Sequence, residues 1–250
     1  LILRTAMTAR LPDFLGLGTQ KGGTTSLHQW LSKNPQIYLP ECKEVHYFDV
    51  NMHQPIEWYK KHFENASNKQ QCGEITPFYL FHPQSAERIK KVLPQVKMIV
   101  LLRDPAERAL SQLFHAKKRG FETLEANEAL AAEESRLKSG SEYSFQKHSY
   151  VSRSRYLEQL DRYENIFQKE QLLVLKSEDL FSQSRICSSK IQQFLKIEGS
   201  ALKTQIPQAN EGTIDRYKNT DKLREKLRDQ LRETALGVSQ RYGFGWDWGK

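Results

Sequence analysis

Long apolar runs are missing from this 250-residue chain. The longest, Met98 to Leu102, is far short of the ~20 residues that cross a bilayer, so no membrane span is expected. The opening stretch LILRTAMTAR holds too short an apolar segment for a secretory signal. It also lacks an initiator methionine, which reads as a domain cut from a longer polypeptide. Cysteine is scarce: Cys42, Cys72 and Cys187 are scattered and odd in number, which argues against a disulfide framework and a zinc site. A reduced, cytoplasmic compartment is the plain reading. Repeats, low-complexity tracts and Pro/Gly/Ser-rich linkers are absent too. Basic residues are spread along the chain instead of clustering with aromatics, which speaks against nucleic acid.

What is present is an apolar content of 38% and a formal charge of +8. The first suffices for one large domain, and the second suggests an anionic partner. Nothing in the sequence indicates an oligomeric state. Strand and helix patterns alternate. DFLGLG (13–18), CGEIT (72–76), VKMIVLL (96–102) and QLLVLK (171–176) read as buried strands. TTSLHQWL, SAERIKKV with a serine cap, DPAERALSQLFHAKKRG with Asp104 as cap, SRYLEQLDRYENIF and SRICSSKIQQFLKI read as helices, and TDKLREKLRDQLRETALGVSQRYG as one more. The expected fold is therefore α/β: a single domain over 1–250 with a central parallel β-sheet flanked by helices. It has a leading segment over 1–12, a helical outer element over 120–150, and a C-terminal loop and helix over 201–250. Ligands of such sheets sit beyond the carboxyl ends of the strands, where Gly18, Thr76 and Arg103 fall.

One short stretch carries chemistry. GTQKGGTTS (18–26) follows a strand and opens a helix, as a phosphate-binding loop must. Gly18 and Gly23 keep the G-x-x-x-x-G spacing, but Thr24 stands where the lysine of the nucleotide-triphosphate loop belongs, and Lys21 sits mid-loop. Amides from Lys21 to Thr25 can form an anion nest, and Gly22 and Gly23 let a ligand approach closely. Thr24, Thr25 and Ser26 add hydroxyl donors. A mid-loop lysine would lie beside the outer group of a nucleotide, where it can steady a bridging oxygen as its bond breaks. Asp104 is the one carboxylate at the end of the central strand and has a cap to form, so no metal is expected.

Four stretches, TQKGGTTSLHQWL, KEVHYFD, GEITPFYL and VLLRDPAERALSQ, together resemble the sulfotransferases in order and spacing. The likeness is to the heparan-sulfate-type branch and its bacterial relatives, over roughly Leu11 to Phe194, with YGFGWDW similar to the family's tail. It implies 3′-phosphoadenosine 5′-phosphosulfate (PAPS) as donor, PAP as product, and the 5′-phosphosulfate in the loop Gln20 to Ser26. It also implies that Arg103 and Ser111 hold the 3′-phosphate, which suits a paired guanidinium–phosphate contact with a nearby hydroxyl. Glu44 takes the base role by the same likeness. A carboxylate beside Val45, Tyr47 and Phe48 is expected to have its pKa raised by partial burial.

The resemblance further places His46, Asp49, Thr76, Pro77 and Phe78 on the acceptor side, and gives His115, one turn after Ser111, a proton-handling role. Arg155 in SRSRY is a candidate contact, and Gly212, Thr213 and Arg216 are candidates to close over the donor. Two departures stand out: Ile75 replaces the lysine of the heparan-type motif, and that branch's late cysteine pair is missing. The expectation is sulfuryl transfer from PAPS to a hydroxyl, with a β-hydroxyacyl chain on an acyl carrier protein as first acceptor, since the chain resembles domains of bacterial polyketide and olefin synthases. A carbohydrate or lipid hydroxyl is the alternative. A phosphate-loop kinase or NTPase, or a non-catalytic nucleotide-binding module, are the readings from other classes.

Overall fold

The computed structural model describes residues 10–197, 206 and 220–248. The chain runs β1 (Phe14–Gly18), α1 (Thr24–Leu31), β2 (Ile37–Tyr38), α2 (Ile56–Lys61), β3 (Gln71–Ile75), α3 (Phe78–Phe81), α4 (Ser85–Val92) and β4 (Lys97–Leu102). It continues through α5 (Pro105–Lys118), α6 (Ala126–Lys138), α7 (Glu142–Lys147), α8 (Tyr156–Glu164), β5 (Leu172–Lys176), α9 (Asp179–Ser182) and α10 (Ser184–Leu195). The last helices are α11 (Asp221–Gln230) and α12 (Arg232–Tyr242). The strands form a five-stranded sheet in the order β2-β3-β1-β4-β5. β1 pairs in parallel with β3 and with β4, and β2 in parallel with β3. The chain is thus α/β, with a parallel sheet flanked by helices.

Among the described residues the chain groups into two compact units. The first runs up to Thr19, then through Gly23–Leu101, and resumes at Gln159. The second takes Gln20–Gly22, Leu102–Glu158 and the C-terminal helices.

The first unit is built on β1, which is buried along its whole length. Phe14 pairs with Gly73 on β3, and a Cβ at Gly73 would meet the Phe14 ring at 2.2 Å. Only glycine lets that ring lie flat on the neighbouring strand. Trp30 and Leu31 of α1, Ile99 and Leu101 of β4, and Cys187 and Ile191 of α10 complete this core. The second unit packs Ala106, Ala109, Leu110 and Leu113 of α5 against Leu223, Leu227 and Leu231.

Two local expectations are corrected. Ser85 does not cap α4: Gln84 holds the cap position without a side-chain bond, and the Ser85 hydroxyl donates to the Phe48 carbonyl at 3.0 Å. The long C-terminal helix is two, separated at Leu231, whose backbone leaves the helical region (φ −111, ψ 9) while its side chain is fully buried in the α5 cluster.

Candidate active site

β1 hands the chain to the loop at Gly18, and Thr19 secures the exit: its amide and its hydroxyl both donate to the Leu101 carbonyl, at 2.8 and 2.9 Å. Beyond it, Lys21 (φ 68) and Gly23 (φ 88) are left-handed. Backbone of this hand turns successive N–H groups to one side, the geometry of an anion nest. Glycine adopts it freely, whereas a lysine held there costs about 1–3 kcal/mol and persists only if its surroundings fix it. They do: Arg103 Nη1 donates to the Lys21 carbonyl at 3.1 Å, and Arg153 Nη1 to Gln20 Oε1 at 2.5 Å. α1 then starts at Thr24, with Gly23 as a cap that offers no side chain. Thr24 and Ser26 are buried in its first turn, Thr25 is half-buried, and the first amides of a helix have no acceptor within it. The displaced lysine thus sits on a strained, clamped segment.

Arg103 follows β4 directly, and its carbonyl accepts the Tyr156 hydroxyl at 2.8 Å. The two carboxylates that follow it, Asp104 and Glu107, have partners of their own. Asp104 caps α5, accepting from Ala106 and Glu107 amides at 2.9 and 3.0 Å and from Trp248 Nε1 at 2.6 Å. Glu107 pairs with Arg224 at 2.5 Å. Ser111 is buried on α5. His115, one turn on, is half-buried. Burial and the positive charges of Lys21, Arg119, Lys118 and Lys147 lower its pKa, so it rests as a neutral imidazole. In SRSRY Arg155 is exposed, and the buried Arg153 reaches the loop at Gln20. Gly212, Thr213 and Arg216 lie outside the described residues.

Residues 43–49 carry a hydrogen-bonded string of charge. Lys43 Nζ lies 2.6 Å from Glu44 Oε1, and Glu44 Oε2 is 3.4 Å from His46 Nε2. His46 Nδ1 is 2.8 Å from the fully buried carboxylate of Asp49. Burial alone would raise the Glu44 pKa, as expected from its apolar neighbours. It is outweighed by the His46 hydrogen bond and the Lys43 charge, which hold the carboxyl at about 2. That expectation is therefore reversed: Val45, Tyr47 and Phe48 point into the core, and Glu44 stays among cations. His46 moves the other way. Burial opposes its charge, but Asp49 and Glu44 raise its pKa to about 9, so it rests as an imidazolium donating from both nitrogens.

Thr76 is fully buried, its hydroxyl 2.6 Å from Glu74 Oε2. Pro77 caps α3, and the Phe78 ring lies 6.5 Å from the His46 imidazole. Glu74 itself, fully buried and bonded by three hydroxyls, escapes a reading by motif. Its signal is a carboxylate inside an apolar strand, which persists only when partnered. Among the described residues, no three His, Cys, Asp or Glu side chains are grouped as metal ligands would be.

The sulfotransferase domain family matches residues 11–234. The chain belongs to this family. Two relatives locate it further. The membrane-associated sulfotransferase kil1 of Dictyostelium discoideum is 48% identical over 105 residues, covering 41% of this chain and 22% of that protein. The human heparan sulfate glucosamine 3-O-sulfotransferase 5 is 28% identical over 196 residues, covering 76% of this chain and 55% of the enzyme. The chain thus spans about half or less of the length of these relatives. Among solved structures, a sulfotransferase from Alicyclobacillus acidocaldarius superposes with a TM-score of 0.79 at 26% identity, over 95% of this chain and 98% of its own. The sulfotransferase domain of the Synechococcus olefin synthase (TM-score 0.57, 15% identity, 94% of this chain and 96% of its own) shares the fold alone. The same holds for a mouse sulfotransferase complexed with PAP (TM-score 0.53, 15% identity, 91% and 86%).

Proposed function

We propose that this sulfotransferase-family chain moves a sulfuryl group from PAPS to an acceptor hydroxyl. The observation that carries the reading is Lys21, a left-handed lysine fixed within a glycine loop by Arg103 and Arg153. The loop amides and the start of α1 suit the 5′-phosphosulfate, and Arg103 with Ser111 suits the 3′-phosphate. PAPS supplies the activated sulfuryl group. Lys21 neutralises charge gathering on the bridging oxygen as its bond to sulfur breaks. Glu44, ionised at neutral pH, accepts the proton of the acceptor hydroxyl, and the His46 imidazolium, anchored by Asp49, orients it. His115 is neutral and can exchange a proton on its own account.

For the acceptor, a carbohydrate hydroxyl is supported by sequence likeness to the human heparan sulfate enzyme, although Ile75 departs from that branch's motif. A hydroxyacyl chain on an acidic carrier protein is supported by the charge of +8 and by likeness of fold. No described helix is long and apolar enough to cross a membrane. The assignment to a reduced cytoplasmic compartment rests on three scattered free thiols.

Calorimetric titration with PAP tests the donor half. Wild type is expected to bind in the presence of EDTA, and Arg103→Ala to weaken binding by about 10- to 100-fold, the loss of a charge-assisted pair. Lys21→Ala should lower transfer of labelled sulfate from PAPS by about 100-fold or more. A wild-type protein that takes ATP with magnesium and ignores PAP would overturn the proposal.

A further inference from the structure

Residues 41–51 form no strand or helix, so no regular ladder of backbone bonds fixes the segment that presents Glu44 and His46. Its main chain is nonetheless held at four successive amides. Val45 N donates to Glu74 Oε2 at 3.4 Å, and His46 N to the Thr76 hydroxyl at 3.4 Å. Tyr47 N and Phe48 N donate to the Tyr79 hydroxyl at 2.8 and 3.4 Å. The two hydroxyls are free to accept because each spends its own hydrogen on Glu74: Thr76 on Oε2 at 2.6 Å, Tyr79 on Oε1 at 2.7 Å. Tyr59 adds a third hydroxyl, at 2.9 Å from Oε1. Every neighbour of this carboxylate is thus a donor, and all four amides end on it or on an oxygen whose hydrogen it holds.

The shape of the loop agrees. His46 is left-handed (φ 58), a conformation that turns neighbouring amides toward a common point and that an imidazole side chain does not favour. Here the amides meet the Thr76 and Tyr79 hydroxyls and, at Val45, the carboxylate of Glu74 on β3, on which both hydroxyls also end. A carboxylate this deeply buried is costly unless fully bonded, so Glu74 and the loop stabilise each other.

We propose that Glu74 is a positioning residue for the acceptor side of the reaction: through Thr76, Tyr79 and the Val45 amide it fixes the backbone that aims Glu44 and His46. Its bearing on catalysis rests on Glu44 serving as the base; its hold on the loop does not.

Glu74→Gln tests this. The amide keeps the size but brings two N–H donors among neighbours that all donate, so the 45–48 segment loses its template. PAP affinity by calorimetry should stay as in wild type. Sulfate transfer should fall by about 100-fold through kcat, with KM for PAPS unchanged, as expected of a misaimed base. The His46 ring, followed by NMR, should titrate well below its wild-type value of about 9 and toward the ordinary 6.5, because the two carboxylates no longer flank it. If Glu74→Gln does not fold, Thr76→Val removes the link to the His46 amide and should shift the ring in the same direction, while Thr76→Ser restores it. A folded variant with wild-type transfer and a ring still titrating near 9 overturns the proposal. So does Thr76→Val without a shift. Failure of the wild type to bind PAP would instead sink the sulfotransferase reading, and the ring titration would still judge Glu74.

Discussion

At the scale of single residues, the acceptor loop is arranged by charge more than by burial. Glu44 is a third exposed (35%), yet its carboxyl is held at about 2 because His46 and Lys43 reach it from two sides. Such a group is ionised throughout the neutral range and weakly basic until a cation is drawn away. In the proposed reaction, an acceptor hydroxyl that displaces Lys43 would strengthen Glu44 as a base. His46 supplies the pH dependence. Its pKa is raised to about 9 from 6.5, so its favourable charge–charge contribution is complete below pH 6.5 and is lost as pH rises through about 9. Transfer and thermal stability should therefore both decline on the alkaline side around pH 9, and Asp49→Asn should move the decline toward neutral pH. A pH series of rate and melting temperature on both proteins measures this; coincident profiles would refute it. None of this direction was legible in KEVHYFD, because sequence shows which residues adjoin Glu44 along the chain and not which way they point. Val45, Tyr47 and Phe48 adjoin it and face away.

At the scale of elements, strands and long helices were legible because their chemistry is local. β1 and β4 are apolar runs, α1 carries its buried residues at helical spacing, and α5 opens on Asp104-Pro105. The short pieces β2, α2, α3, α7 and α9 have two to six residues each, too few for a period to show. Ser85 misled for a related reason: a serine before a helical pattern reads as a cap, but a carbonyl from the distant Phe48 claims its hydroxyl. Asp104 shows the opposite case, a cap that does more than its motif announces. It closes two orphan amides of α5 and also holds the Trp248 indole. Asp104→Ala should destabilise the fold by about 1–2 kcal/mol, read as a lower urea midpoint at unchanged slope. Asp104→Asn, which keeps an accepting oxygen for the amides, should lose less.

For the whole molecule the quantity that matters is charge, since 38 basic residues face 30 acidic ones. A surplus of that size draws anions in from beyond contact distance, raising encounter rates by roughly 10- to 1,000-fold at low ionic strength, and salt removes the gain. The proposed donor is itself an anion, so on that proposal salt weakens PAP binding whatever the acceptor is. The informative measurement is the excess. With PAPS saturating, kcat/KM for an anionic acceptor, such as a sulfated polysaccharide or an acidic carrier protein, should fall steeply between low and high salt. For a neutral sugar or lipid alcohol it should stay flat. We expect the steep dependence, because the positive surplus far exceeds what Lys21 and Arg103 need for a nucleotide. A flat profile with an acceptor that is efficiently sulfated would show that the remaining charge plays no part in recognition, and would shift weight to the apolar Phe78 ring beside His46 as the feature that selects an uncharged hydroxyl.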